Sequence, residues 1–337
     1  MWSRSAAGPQ DHPRYRVRRR TAFVCAVAWV MAVAGTTTVL PHGGSAHASV
    51  AATASGRRSI PVATATPTTA APSATPSPTP SATVSATPGG TPSASAPPTA
   101  SGASMDTLEA AVAQASGQVS VSVVDLTTGA SLTYGAKGHA FATASIVKLD
   151  ILAALLLRAQ DRGTTLTSSQ RSLATSMIEH SDNDAANSLY LTIGARSGLD
   201  AANKRFGLTA TEGGSDDYWG LTTTTAADQV KLLRQVFTGS SRLSASSRSY
   251  LQGLLSQVES DQRWGVSAAA TGDFELKNGW LPRSATGLWV VNSTGRIDRD
   301  GHQLLISVLS DGNHSESQGI TLIESVAKAA ATALGSN

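Results

Sequence analysis

Cysteine is almost missing from this chain: 337 residues carry one, Cys25. It sits near the front of an apolar run, too early to be a lipid-modified cysteine at a cleavage site. Once that run is removed no disulfide can form. The fold must therefore rest on an ordinary apolar core, even outside the cell. Proline is missing where a domain would be, since ten of the fourteen lie between Pro61 and Pro98 and only Pro282 follows residue 104. The five histidines beyond residue 45 show no ligand spacing, which argues against a metalloenzyme. No cofactor is expected, and no internal repeat is visible.

What is present divides the chain in three. Residues 14–20 read RYRVRRR and precede an unbroken apolar run, Ala22 to Ala34. That run suits the apolar segment of a signal peptide and is short for a membrane span, which needs roughly 20 apolar residues. Ala46-His47-Ala48 offers a small-residue cleavage site, so residues 1–48 read as a signal peptide or, if uncleaved, an N-terminal anchor. Arg19 and Arg20 leave twin-arginine export open. Residues 49–104 are Ala, Thr, Ser, Pro and Gly with almost nothing large. Such a tract cannot bury enough apolar surface to offset chain entropy, so a disordered tether is expected. The remaining 105–337 is long enough for one large domain or two fused lobes.

Charge follows the same division. The first 104 residues carry eight arginines and one acid, Asp11, whereas the rest has 18 Lys and Arg against 22 Asp and Glu. The basic balance belongs to the export signal and tether, and nucleic acid is not an expected partner.

Along the domain, Asp106 to Ala115 has helical character, with Ser104 as a candidate cap. Val119, Val121 and Val123 alternate with Ser120 and Ser122, a period-two strand signal, and Leu132–Tyr134 returns after Thr127-Thr128-Gly129 as a hairpin partner. From Ser145, Ile146, Leu149, Leu152, Leu155 and Leu156 recur at helical spacing. Several helices are expected over 168–260, including Ala226–Phe237 and Ser244–Val258. Strand candidates return at Glu275–Lys277, Gly287–Asn292 and Gln303–Leu309, before a closing helix from about Gln318 to Leu334. If early and late strands share one sheet, the domain is α/β (α+β). About five antiparallel strands from both its ends would be flanked by helices, with an inserted all-helical lobe. The cleft between two such lobes is a common place for a site.

Three short motifs carry chemistry. In "FATASIVKLD", Ser145 and Lys148 are three apart and share a helix face. A serine hydroxyl needs a neighbouring base, and a lysine can serve if burial or nearby charge lowers its pKa. Alone, the pair is also an ordinary polar helix turn. Ser181-Asp182-Asn183 falls between helical patterns, where any of the three could cap the next helix. Lys277-Asn278-Gly279 ends a strand candidate and reads equally as a lysine before a turn.

Together, in this order and setting, the three motifs resemble those of the penicillin-recognising serine enzymes, the class A β-lactamases and penicillin-binding proteins. The resemblance covers essentially all of 105–337. It implies that Ser145 is the acylated nucleophile and Lys148 its proton acceptor or a relay to one. Ser181 would pass a proton to the leaving nitrogen, and Asn183 would hold the substrate's side-chain amide. Lys277 and Gly279 of the third motif would face the substrate, with Lys277 supplying positive potential for a carboxylate. The backbone N–H groups of Ser145 and Trp280 would form the oxyanion hole. Arg263, in "QRWGVS", stands where some class A enzymes keep a carboxylate-binding arginine; it reads equally as a surface arginine.

Two departures stand out. Asn278 replaces the hydroxyl residue usual after the motif lysine, and an amide cannot copy a hydroxyl's dual role. The family's deacylating glutamate, in a Glu-x-x-Leu-Asn stretch, is missing: "LTATEGGSDDYWG" holds one glutamate, Glu212, with Asp216 and Asp217 nearby. Glu212 is thus the only glutamate available as a base, and it reads more readily as a solvated loop carboxylate. The expectation is an exported serine hydrolase, acting as a monomer on a β-lactam or a peptidoglycan-peptide-like amide or ester, with slow deacylation. A true β-lactamase with another base, a D-Ala-D-Ala peptidase or esterase, and an inert cell-wall-binding domain remain alternatives. A membrane would be met only through an uncleaved anchor.

Overall fold

A computed structural model describes residues 102–215 and 218–335. The export signal and all but the last three residues of the expected tether lie outside the described residues, as do Asp216 and Asp217. Helix α1 runs Gly102–Val112, starting ahead of the expected Asp106, so Ser104 lies within its first turn rather than capping it. No helix among the described residues is long and apolar enough to cross a membrane.

The early and late strands do share one sheet. β1 (Val119–Asp125), β2 (Ser131–Gly135), β5 (Phe274–Pro282), β6 (Trp289–Arg299) and β7 (His302–Asn313) lie in the order β2-β1-β7-β6-β5. Every pairing is antiparallel, with Val121 opposite Val308 where the two ends of the domain meet. The alternation in β1 predicts one wet face, yet all seven residues are buried. Valines 119, 121 and 123 join the core under the closing helix α8 (Glu316–Gly335). Ser122 on the other face pairs with Thr133 Oγ1 at 2.9 Å, which satisfies a buried hydroxyl inside the sheet.

β5 is longer than its pattern suggests. Asn278, Gly279 and Pro282 are weak strand formers, but an edge strand has one side free of ladder bonds and tolerates them. Lys277-Asn278-Gly279 therefore lies inside the strand, paired with Thr294, Ser293 and Asn292 of β6, and not before a turn.

Helices α2 (Val147–Asp161), α3 (Ser168–Glu179), α4 (Asn183–Ile193), α5 (Ala195–Phe206), α6 (Ala226–Phe237) and α7 (Ala245–Leu255) form the inserted lobe. Every residue of α2 from Val147 to Leu157 is buried, Lys148 and Asp150 included. It is wrapped by its neighbours on all sides, so the amphipathic reading of its sequence understates its burial. Side-chain oxygens cap four of these helices, at Thr167, Asp182, Thr225 and Ser244. A second, two-stranded sheet pairs β3 (Phe141–Ala142) with β4 (Thr223–Thr224), and Glu212 bridges to Thr223 beside it. This ribbon ties the segment before Ser145 to the end of the 208–220 loop.

Candidate active site

Ser145 sits in a 3-10 turn, Ala144–Ile146, that leads into α2. The residue before it, Ala144, has φ of +49°, and Ser181 has φ of +55°. A left-handed conformation outside glycine costs on the order of 1–3 kcal/mol, so surrounding contacts must hold both residues there. Asn292, fully buried on β6, supplies such contacts at the first: its Nδ2 donates to the backbone oxygens of Ala142 at 2.9 Å and Thr143 at 3.0 Å. Gly279 presses on the same turn from β5. A Cβ there would stand 2.7 Å from the backbone nitrogens of both Ser145 and Ile146, so only glycine lets the strand come this close.

Four groups converge on one amine. Lys148 Nζ lies 3.0 Å from Ser145 Oγ and 3.0 Å from Ser181 Oγ. It donates to the Ser181 backbone oxygen at 2.6 Å and to Asn183 Oδ1 at 2.8 Å. Those last two oxygens can only accept, so they take two N–H bonds in either protonation state. The third position is an N–H in the ammonium and a lone pair in the amine, and the two serine hydroxyls lie beside it. Burial pushes the Lys148 pKa down to about 7, against the opposing charge of Asp182. Near neutral pH the amine form can thus take the Ser145 proton.

The middle residue of Ser181-Asp182-Asn183 does other work. Asp182 caps α4, accepting from the Ala185 N–H at 2.7 Å. Capping and chemistry compete as readings of this motif in the sequence; the structure divides them between Asp182 and its two neighbours.

On the strand side, Lys277 is completely buried. Its Nζ donates to Asn278 O at 3.1 Å and lies 3.5 Å from Gln262 Oε1. Burial, and then the nearby Lys148, push its pKa down to about 7. Asn278 is buried too, donating to the Gln262 and Trp264 carbonyls at 2.7 and 2.9 Å. Trp280 is half-buried against Trp264, ring centres 5.8 Å apart. Arg263 is not drawn into the cluster: it is exposed, and its Nε donates to Val258 O at 2.7 Å. The residue that does reach Lys277 from this segment is its neighbour Gln262.

Glu212 does not join the cluster either. Its carboxylate is 73% exposed and ion-paired with Arg196 of α5 at 2.6 Å. The loop residue that meets Lys148 is Trp219, whose ring centre lies 5.0 Å from Nζ. Its Nε1 donates to Asn187 Oδ1 on α4 at 2.8 Å, which fixes the ring's orientation. Trp219, Gln262 and Asn292 carry no motif of their own; only the isolated tryptophan in a Gly- and Asp-rich loop hints at one of them. Two cavities, one of about 220 Å³ between α2 and α7 and one of about 910 Å³ beside β2, are lined by neither Ser145 nor Lys148.

Comparison with known proteins agrees with this geometry. A model of the beta-lactamase enzyme family matches residues 103–170 and 158–334. Among curated proteins, LppW of Mycobacterium tuberculosis (strain H37Rv), described as a predicted lipoprotein, is 26% identical over 195 residues. That match covers 56% of this chain and 62% of LppW, short of two thirds of the relative's length. A beta-lactamase from Chitinophaga pinensis superposes with a TM-score of 0.59 at 17% identity, over 67% of this chain and 97% of its own. A variant of PBP-A, solved as an acyl-enzyme complex with penicillin G, gives 0.59 at 20% identity over 69% and 96%. The extended-spectrum beta-lactamase TLA-1 gives 0.61 at 15% identity over 69% and 98%. At these identities the structural likenesses speak for the fold.

Proposed function

The chain belongs to the beta-lactamase enzyme family, and from that premise we propose that it is an exported serine hydrolase that becomes acylated at Ser145 and sheds the acyl group slowly. The observation that carries this reading is the surroundings of Lys148. Oxygens of Ser145, Ser181 and Asn183 lie within 3.0 Å of its Nζ. From the loop it is met by the Trp219 ring and, among the described residues, by no carboxylate.

The steps follow from the distances. Neutral Lys148 takes the proton of Ser145 Oγ, which attacks the substrate carbonyl, forming a C–O bond. The negative oxygen is met by the N–H groups of Ser145 and Trp280, where one such donor is typically worth about 3–4 kcal/mol. Collapse breaks the bond to the leaving nitrogen or oxygen, and the proton passes from Lys148 through Ser181 Oγ to that atom. Asn183, with Oδ1 spent on Lys148, keeps its N–H groups for the acyl side chain.

Deacylation needs a water held against the ester and a base to activate it. Glu212, the one glutamate of the loop, is paired to Arg196 and points to solvent. This favours a long-lived acyl-enzyme over efficient β-lactam turnover. The PBP-A variant, solved with penicillin G as an acyl-enzyme, is the fitting precedent among similar folds. Export, through the basic and apolar N-terminus, belongs to the same proposal, as does attachment near the membrane, which the lipoprotein description of LppW implies for that protein.

Intact-mass measurement with benzylpenicillin tests it. A stable adduct of one acyl group is expected on the wild-type chain and none on Ser145→Ala. Rapid turnover without an adduct would establish a deacylating base elsewhere, and no reaction with any β-lactam or activated ester would leave an inert binding domain.

A further inference from the structure

The acyl-enzyme reading leaves open which acyl donor the site accepts, and the strand side of the site bears on that question. A substrate carboxylate next to the scissile bond needs a free cation or a pair of free donors. Three side chains could supply them, and each is committed elsewhere. Lys277 is fully buried and turned to the Asn278 carbonyl and Gln262 Oε1. Burial beside Lys148 brings its pKa to about 7, so much of its charge is lost at neutral pH. Asn278 spends both amide hydrogens on the Gln262 and Trp264 carbonyls. What it has left is Oδ1, a buried acceptor without a partner, which repels a carboxylate. Arg263 hooks back onto its own turn at Val258 O.

What does border the nucleophile is aromatic. Trp280 directly follows Gly279, the residue packed on the Ser145 turn, and meets Trp264 edge to face; Trp219 covers Lys148. All three indoles are half-buried, with part of each ring still accessible. A flat apolar surface of this kind favours an uncharged group laid against it.

We propose that the substrate which acylates Ser145 is uncharged next to its scissile bond: a neutral ester or amide held against the indoles of Trp264 and Trp280, not anchored by a carboxylate. This rests on the acyl-enzyme reading and narrows it away from donors that end in a free carboxylate.

The test is a matched pair, benzylpenicillin and its methyl ester, with 4-nitrophenyl acetate as an uncharged control. Second-order rates of Ser145 acylation on the full chain are read by intact mass. The acid and its methyl ester are expected to react within about threefold of each other. Asn278→Thr, which restores a hydroxyl beside Lys277, is expected to shift that ratio at least about fivefold toward the acid. Labelling by the acetate alone also supports the proposal. A wild-type preference for the acid of about tenfold or more overturns it, as does a ratio that Asn278→Thr leaves unmoved. If none of the three compounds labels Ser145, the acyl-enzyme reading itself falls, so the two failures are distinguishable.

Discussion

Two lysines, Lys148 on α2 and Lys277 on β5, are both fully buried, and burial lowers the pKa of each to about 7. They differ in what answers them. Lys148 is ringed by the oxygens of Ser145, Ser181 and Asn183, groups from two other points of the chain that converge on it. Lys277 is answered by the carbonyl of the next residue and, at longer range, by Gln262. The first has a serine hydroxyl at its lone-pair position; the second has only oxygens that accept. A shared burial and a shared pKa direction therefore do not imply a shared role. What separates a base from a structural cation is whether a proton donor stands opposite.

That contrast can be broken most sharply by removing each amine. Lys148→Met is expected to slow acylation by about 10³-fold, within the range for a lost general base. Lys277→Met should slow acylation by a neutral ester less than about tenfold, as read by the same intact-mass rates. Equal losses would erase the distinction. Next in size, Gly279→Ala drives a Cβ to 2.7 Å from two backbone nitrogens of the nucleophile turn. A loss of about 10²-fold in acylation is expected from displacement of Ser145, with a melting measurement to separate it from unfolding.

Stability shows what the two lysines share. The folded pKa of each is depressed from the ordinary lysine value of 10.5 to about 7. Above pH 10.5 both folded and unfolded chains hold the amine neutral, and burial carries no ionisation penalty. As pH falls from there to about 7 the unfolded chain gains a proton that the folded one does not, and stability declines; below about 7 the deficit is constant. Either Met substitution should therefore raise stability at about pH 7 by roughly 1–3 kcal/mol, and by less at about pH 10, in urea unfolding. A gain that does not shrink at the higher pH would mean that packing, not charge, is responsible.

Trp219 sharpens the comparison from the solvent side. Acylation by the wild type should rise through about pH 7 as Lys148 loses its proton. Trp219→Ala admits water to the amine, and the midpoint should move up by about one pH unit, with Trp219→Phe restoring most of it. The acyl-enzyme should also hydrolyse roughly tenfold faster in Trp219→Ala. Smallest of all, Glu212→Gln removes one partner of an exposed ion pair worth under about 1 kcal/mol. Deacylation should stay within about twofold; a larger fall would restore Glu212 as a base.

The elements most legible in the sequence are those whose local signals agree. The expected helix Ala226–Phe237 and the observed α6 coincide, because Thr225 caps it and its apolar residues keep the helical period. The three late strands appear where their apolar runs fall. β3 and β4, two residues each, are too short to carry a period, and β5 extends through residues that argue against a strand unless one knows it lies at an edge. The convergence of Ser145, Lys148, Ser181 and Asn183 follows from motif order. Arg263 and Glu212 are reasonable candidates by type and position, but their side chains find partners at Val258 and Arg196 instead.

Sequence by itself determined which chemistry this chain can carry: a serine and a lysine one helical turn apart, the serine-asparagine pair, the lysine-x-glycine strand, and the missing loop glutamate. Those are statements about residue type and spacing along the chain. Only the tertiary structure decided that Trp219 lies over Lys148, that Asn278 has no amide hydrogen to spare, and that Gly279 fits where no side chain could. These depend on side-chain directions and on close approaches between segments that are separate in the sequence, which no local pattern encodes.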